Sequence, residues 1–178
     1  MTDTLLLDAY GTLIEPATLK IQRLLPGPID RVWRYLTQSD LRRQWLAAGA
    51  MEMKADTPFT FTWRNDELTD PPGQRPEGMG AEHSMTGRLL EVDPPRKLTF
   101  AWSDTGGEVS FELEPQGSEV LLTVIHRRIP DRDFLLRVAG GWHMHIDLLA
   151  DRLAGRTPAT PFWDGWARLK GEYAQRLG

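Results

Sequence analysis

Four histidines and no cysteine set the limits of the chemistry this 178-residue chain can do. Without cysteine there are no disulfides, thiol nucleophiles, thiolate zinc sites or iron–sulfur clusters. His143 and His145 invite a metal. On a helix, however, positions i and i+2 point about 200° apart, so the two rings cannot chelate one ion. His143 and Asp147, at i and i+4, share a side and read as a helix-surface ion pair. His145 flanks the apolar stripe of Trp142, Ile146 and Leu149. An imidazole there can orient a ligand or act as a general base near neutral pH. The plainer alternative is a core-edge histidine satisfied by a carbonyl or side chain. His126 lies at a strand end, and His83 in or beside a long loop.

Arg88 shares a strand phase with Leu90 and Val92, so it is expected to point inward. A buried arginine needs an acidic side chain or an acidic ligand. Phe61, Trp63, Phe100, Trp102, Phe111 and Trp142 are expected to line a cavity, with much of the set filling core. With Arg88 and His145 they make the candidate ligand-binding set. Asp66, Glu67, Asp70 and Glu77 read as solvated loop chemistry, not a carboxylate dyad. No metal site and no cofactor is expected.

These side chains need elements to hold them. Thr18 to Leu25 reads as a strand, closed by Pro26-Gly27-Pro28. Ile29, Val32, Trp33 and Leu36 follow helical spacing, and Ser39 reads as the N-cap of a second short helix with Leu41, Trp45 and Leu46. Phe59, Phe61 and Trp63 alternate with polar residues at a period of two. Asn65 to His83 is a long polar loop rich in Pro and Gly. Strands are predicted at Met85–Val92, Lys97–Trp102, Glu108–Glu114 and Glu119–His126, with turns spaced as in an antiparallel meander. Leu135, Val138, Trp142, Ile146, Leu149 and Leu153 then mark a long helix. Gly140-Gly141 is a candidate bend and Gly155 its stop. A terminal helix carries Phe162, Trp166, Leu169 and Tyr173. The economical arrangement is an α+β helix-grip fold: a curved antiparallel sheet wrapped around a long C-terminal helix, with two short helices after the first strand. Such a sheet leaves a gap against a straight helix, filled by aromatics or by a ligand. Met144 and Leu148 fall on the back of the long helix. Either the terminal helix or a second copy of the chain must cover them.

Composition narrows the partners. Lys and Arg total 21 against 25 Asp and Glu, a net charge of −4, which argues against a nucleic-acid binder driven by phosphate neutralisation. No segment reaches the roughly 18 apolar residues of a membrane span. The start lacks a basic region, so it does not read as a secretory signal, and the cytoplasm is the default location. Seven tryptophans point to large flat side chains around the core or a cavity.

The segment Arg23-Leu-Leu-Pro-Gly-Pro-Ile-Asp-Arg-Val-Trp33, the helix Leu41 to Trp45, the hairpin Gly87 to Trp102 and the run Gly140-Gly-Trp-His-Met-His-Ile-Asp-Leu-Leu149 resemble SRPBCC (START-like) proteins. More narrowly they resemble the branch named for activators of the heat-shock-protein-ninety ATPase. The resemblance implies a helix-grip domain over residues 17–178, preceded by an arm over residues 1–16. It implies a buried tryptophan in the first short helix and a tryptophan in the second. It allows three roles: binding a small, largely apolar molecule, the leading expectation; a cyclase or hydrolase with His145 as base; or an interaction protein with a chaperone partner. A homodimer is a further expectation. A second motif, Leu5-Leu-Leu-Asp8-Ala-Tyr-Gly11-Thr12, resembles the nucleophile loop of haloacid-dehalogenase-like hydrolases. There Asp8 would attack phosphorus or carbon. A doubly wound sheet needs alternating strands and helices, and the consecutive strands between residues 57 and 126 oppose it.

Overall fold

The computed structural model describes residues 7–178. Leu5 and Leu6 of the dehalogenase-like motif lie outside that span. The chain order is β1 (Thr12–Glu15), β2 (Thr18–Pro26), α1 (Ile29–Thr37), α2 (Ser39–Arg42), β3 (Pro58–Trp63), β4 (His83–Asp93), β5 (Lys97–Ala101), β6 (Glu108–Gln116), β7 (Glu119–Arg127), α3 (Arg132–Ala154) and α4 (Phe162–Arg176). All seven strands form one antiparallel sheet in the order β1-β2-β7-β6-β5-β4-β3. This is the helix-grip architecture. It leaves no place for the parallel sheet that the Asp8 motif requires, and Asp8 itself is exposed.

The sheet grips α3 because one face of each strand is apolar. Ile21, Leu98, Phe100, Val109, Phe111, Leu122 and Val124 are buried on that face. Trp142 of α3 meets it with its ring 5.7 Å from Phe111 and 5.5 Å from Trp102. The ends of α3 follow from its sequence. The Asp131 side chain accepts a hydrogen bond from Phe134 N at 2.8 Å, and Gly155 closes the helix with φ of 70°.

The structure decides three open points. Gly140-Gly141 does not interrupt α3, which runs unbroken for 23 residues. Gly140 instead lets α4 approach, since a Cβ there would lie 3.1 Å from Lys170 N. Met144 and Leu148 are buried, and a Cβ on Gly165 of α4 would lie 2.6 Å from Met144 Sδ. The terminal helix therefore covers them, without a second copy. Finally, the arm adds an edge strand. Leu13 pairs with Leu19 of β2, Ile14 sits at a register shift, and both stay exposed, while Tyr10 packs against the core.

The two short helices plug one end. Trp45 is fully buried and donates to Tyr35 O at 2.8 Å, whereas Trp33 is only half-buried. Ser39 does not cap α2; its hydroxyl accepts from Gly49 N at 2.9 Å. Arg42, unremarked in sequence, is also fully buried. It donates to the carbonyls of Leu36, Thr37, Ala47 and Gly49, and its guanidinium lies 4.7 Å from the Phe61 ring centre. Burial lowers its pKa to about 10, so it stays charged.

Candidate ligand cavity

A cavity of about 370 Å³ opens between the end of the sheet, α3 and α4. That lies within the range of small-molecule sites. Its wall is indole: Trp63 from β3, Trp102 after β5, Trp142 from α3, and Trp163 and Trp166 from α4. Gly141 and Val138 extend the α3 side, with His145 one turn further along. Alternation on β3 turns Trp63 inward, and the i, i+4 spacing of Gly141 and His145 puts both on one stripe. The four residues Trp63, Trp102, Trp142 and His145 of the expected set thus come together.

The other four do not. Phe61, Phe100 and Phe111 have no exposed surface and form the packed layer behind the indoles. Arg88 is on the outer face of the sheet, exposed, and donates to Asp56 O at 2.6 Å. The inward reading of Arg88 fails because β4 carries a bulge. Leu89 pairs with Phe100 but Glu91 pairs with Thr99, so one extra residue reverses the alternation. Val92 packs on the core while Arg88 and Leu90 face out.

As cavity residues, sequence reasoning missed Trp163, Trp166 and Asn65. Trp163 follows Pro161-Phe162 at the start of α4, and the aromatic run Phe162, Trp163, Trp166 was the available signal. Asn65 had none. It opens the 3-10 turn Asn65–Glu67 after β3, lines the cavity, and its Oδ1 is buried without a hydrogen-bond partner.

The loop between β3 and β4 is built in two halves. Its first half is tied to α4: Trp163 Nε1 donates to Asp66 Oδ1 at 2.7 Å, Phe162 N to Thr69 Oγ1 at 2.9 Å, and Trp163 N to Pro72 O at 3.0 Å. Asp66 also pairs with Arg75, so it is structural, not a solvated loop acid. The second half, from Gly78 to Glu82, borders the cavity mouth, with Met79 exposed at its tip.

Three buried histidines lie on or near α3, and burial lowers each to about 4, so all are neutral at pH 7. His126 receives the Trp142 indole N–H on Nδ1 at 3.1 Å, which leaves Nε2–H to donate to Gly106 O at 2.8 Å. His143 and Asp147 do pair, at 3.4 Å, but His143 is buried, so the contact is no surface ion pair. With Nε2–H toward Asp147, His143 Nδ1 accepts from the Tyr173 hydroxyl at 2.8 Å, and that oxygen accepts from Gly11 N at 2.7 Å. Arg23 completes the network on Asp147 at 2.7 Å. His145 differs. Its Nδ1 is 2.7 Å from Trp45 O, which can only accept, so Nδ1 carries the proton. The only sealed, partnerless side-chain polar atoms among the described residues are Arg23 Nε and Asn65 Oδ1. His145 Nε2, also without a protein partner, therefore opens onto the cavity. Among the described residues no group of three His, Asp or Glu side chains could hold a metal, and no helix is long and apolar enough to cross a membrane.

A curved sheet gripping a helix, with a cavity between them, defines the class. Residues 26–154 match the family model of Activator of Hsp90 ATPase homolog 1-like proteins, and the chain belongs to that family. A Bordetella parapertussis protein solved by NMR is 35% identical over 99% of this chain and 94% of its own, with a TM-score of 0.77. CalU16 from Micromonospora echinospora is 22% identical over 89% of this chain and 86% of its own, with a TM-score of 0.64. A protein described as the Aha1 dimer from Colwellia psychrerythraea is 14% identical over 76% of this chain and 95% of its own, with a TM-score of 0.57. The last two likenesses concern the fold. No curated protein sequence matches. Helix α4, which supplies Trp163 and Trp166, lies beyond the matched residues 26–154.

Proposed function

We propose that the protein binds a small, flat, largely apolar molecule in the indole-walled cavity between sheet, α3 and α4. The observation that carries this reading is the space itself: Trp63, Trp102 and Trp142 pack on one another, as do Trp163 and Trp166, and about 370 Å³ stays open beside the two groups. Large aromatics normally collapse into a filled core, since unfilled volume forfeits dispersion contacts. Binding is favoured over proton-transfer catalysis by His145. A general base works best with a pKa near the operating pH, and this imidazole is held at about 4. It accepts a hydrogen bond well and a proton poorly.

Gly141 supplies the test. A Cβ there would meet nothing nearer than Trp166 Nε1 at 4.0 Å, so Gly141→Leu projects into the cavity. Titration with naphthalene, followed by tryptophan fluorescence, is expected to give saturable binding in the native protein and none in Gly141→Leu, with the fold intact by circular dichroism. Equal binding by both would remove the cavity reading.

A further inference from the structure

The cavity wall also specifies a polar feature of its occupant. His145 Nδ1 is committed to Trp45 O, and the neutral ring leaves a lone pair on Nε2 that faces the cavity without a protein donor. Asn65 also lines the wall, but its Oδ1 is sealed from the cavity and out of an occupant's reach. Three of the five indoles cannot supply one. Trp142, Trp163 and Trp166 donate to His126, Asp66 and Arg137 O. An acceptor in an apolar cavity loses its water when a ligand enters, and it stays unsatisfied unless the ligand brings a donor. Resting on the cavity reading above, we infer that the ligand is an aromatic molecule bearing a hydroxyl or N–H group, and that His145 Nε2 is the acceptor that reads it.

At His145 the wall disfavours an anion, while the indole N–H groups of Trp63 and Trp102 make no hydrogen bond within the protein. A carboxylate there would set its lone pairs against that of Nε2. Arg137, at the cavity border, is already engaged with Asp133 at 3.3 Å and lies 5.5 Å from the Phe134 ring centre. Glu82, also on the border, is likewise paired, with Arg64 at 2.8 Å. A hydroxyl satisfies the Nε2 acceptor and carries no charge.

Four probes built on one ring system separate the possibilities: naphthalene, 2-methoxynaphthalene, 2-naphthol and 2-naphthoate. The methoxy compound keeps the oxygen and loses the donor. 2-Naphthol is expected to bind about tenfold tighter than 2-methoxynaphthalene, because the analogue leaves Nε2 unpaired. 2-Naphthoate is expected to bind more weakly than 2-naphthol. In His145→Asn the Nδ2–H group can still donate to Trp45 O while the Nε2 acceptor is gone. That variant should bind 2-naphthol and 2-methoxynaphthalene alike and keep its affinity for naphthalene. A long-range proton–nitrogen NMR spectrum of the native protein gives a check that needs no variant. The Nε2 resonance should be that of an unprotonated nitrogen and should move with 2-naphthol but not with 2-methoxynaphthalene. Equal affinities of those two probes in the native protein, or a preference that survives in His145→Asn, would overturn the inference and leave the cavity reading standing. Failure of all four probes to bind would overturn both.

Discussion

Helix α3 carries two stripes that resemble each other in sequence and differ in consequence. One holds Gly140, His143, Met144 and Asp147; the other holds Val138, Gly141, Trp142 and His145. Each has a glycine and a histidine, and both histidines are buried and lowered to about 4. On the first stripe every polar atom of His143 is engaged, and α4 packs directly on Gly140. On the second, Gly141 faces open space and His145 keeps one nitrogen unengaged. Burial and a shifted pKa are thus common to both. Unused hydrogen-bonding capacity beside unfilled volume belongs to one, and that combination distinguishes a site from a strut.

The largest expected effect tests what the stripes share. His126, His143 and His145 sit at about 4 when folded and near 6.5 in the unfolded chain. Between those values the unfolded state binds more protons, so stability is full above 6.5 and falls as pH drops toward 4. Each histidine can withdraw up to about 3 kcal/mol over that window, enough together to unfold a domain of ordinary stability. Asp147, raised by burial, binds protons in the folded state and opposes the loss at the acid end. Urea unfolding across this pH range should show a steep acid decline, shallower by one proton in either His143→Gln or His145→Gln. A flat profile would mean that these rings are not neutral and buried as described.

A second test sets the two glycines against each other. Gly140→Leu must push α4 away, because the Lys170 backbone and the Trp166 carbonyl stand at 3.1 and 3.3 Å from its Cβ. A loss of about 3 kcal/mol is expected by chemical denaturation. Gly141→Leu should hold or gain stability, by about 0.5–1 kcal/mol from helix propensity, while abolishing naphthalene binding. Similar losses in both variants would erase the distinction between a packed and an open stripe.

Tyr173→Phe probes the closed stripe more gently. It leaves Gly11 N–H and His143 Nδ1 without their hydroxyl partner, at a cost of about 2 kcal/mol. Naphthalene affinity should not change, since Tyr173 is not part of the cavity wall. A drop in affinity equal to that of a cavity variant would show that the two stripes communicate.

Most of the fold was legible because its signals are local and repeated. Period-two alternation marked β3 and the meander, and 3.6-residue spacing marked α3 and α4. The half of the site built on unbroken periodicity, Trp63, Trp142 and His145, followed from the same patterns, and Trp102 followed from the β5 phase. What escaped reading depends on events without periodicity. Asn65 enters through a single 3-10 turn, and Trp163 through how α4 docks against the loop. The tautomer of His145 is set by a carbonyl 100 positions away. Nor does alternation separate Phe61, Phe100 and Phe111, sealed in the core, from Trp63 and Trp102 at the cavity. Both groups share one inward face, and only their distance from the open end of the sheet tells them apart.

Arg88 is the sharpest of these misreadings and yields the smallest expected effect. Counting back from Val92 in steps of two puts Arg88 inward, where it would hold an acidic ligand among the indoles. The bulge at Leu89–Glu91 breaks that count and places the guanidinium outside, on Asp56 O. Arg88→Ala therefore removes one exposed hydrogen bond and should shift stability by no more than about 0.5 kcal/mol. Affinities for 2-naphthol and 2-naphthoate should both stay at their native values. An inward arginine predicts otherwise: its loss would weaken 2-naphthoate selectively and leave 2-naphthol untouched. Measuring the two probes side by side on this variant therefore tests the register of β4 directly. It also tests whether the cavity presents an acceptor, as His145 indicates, or a cation.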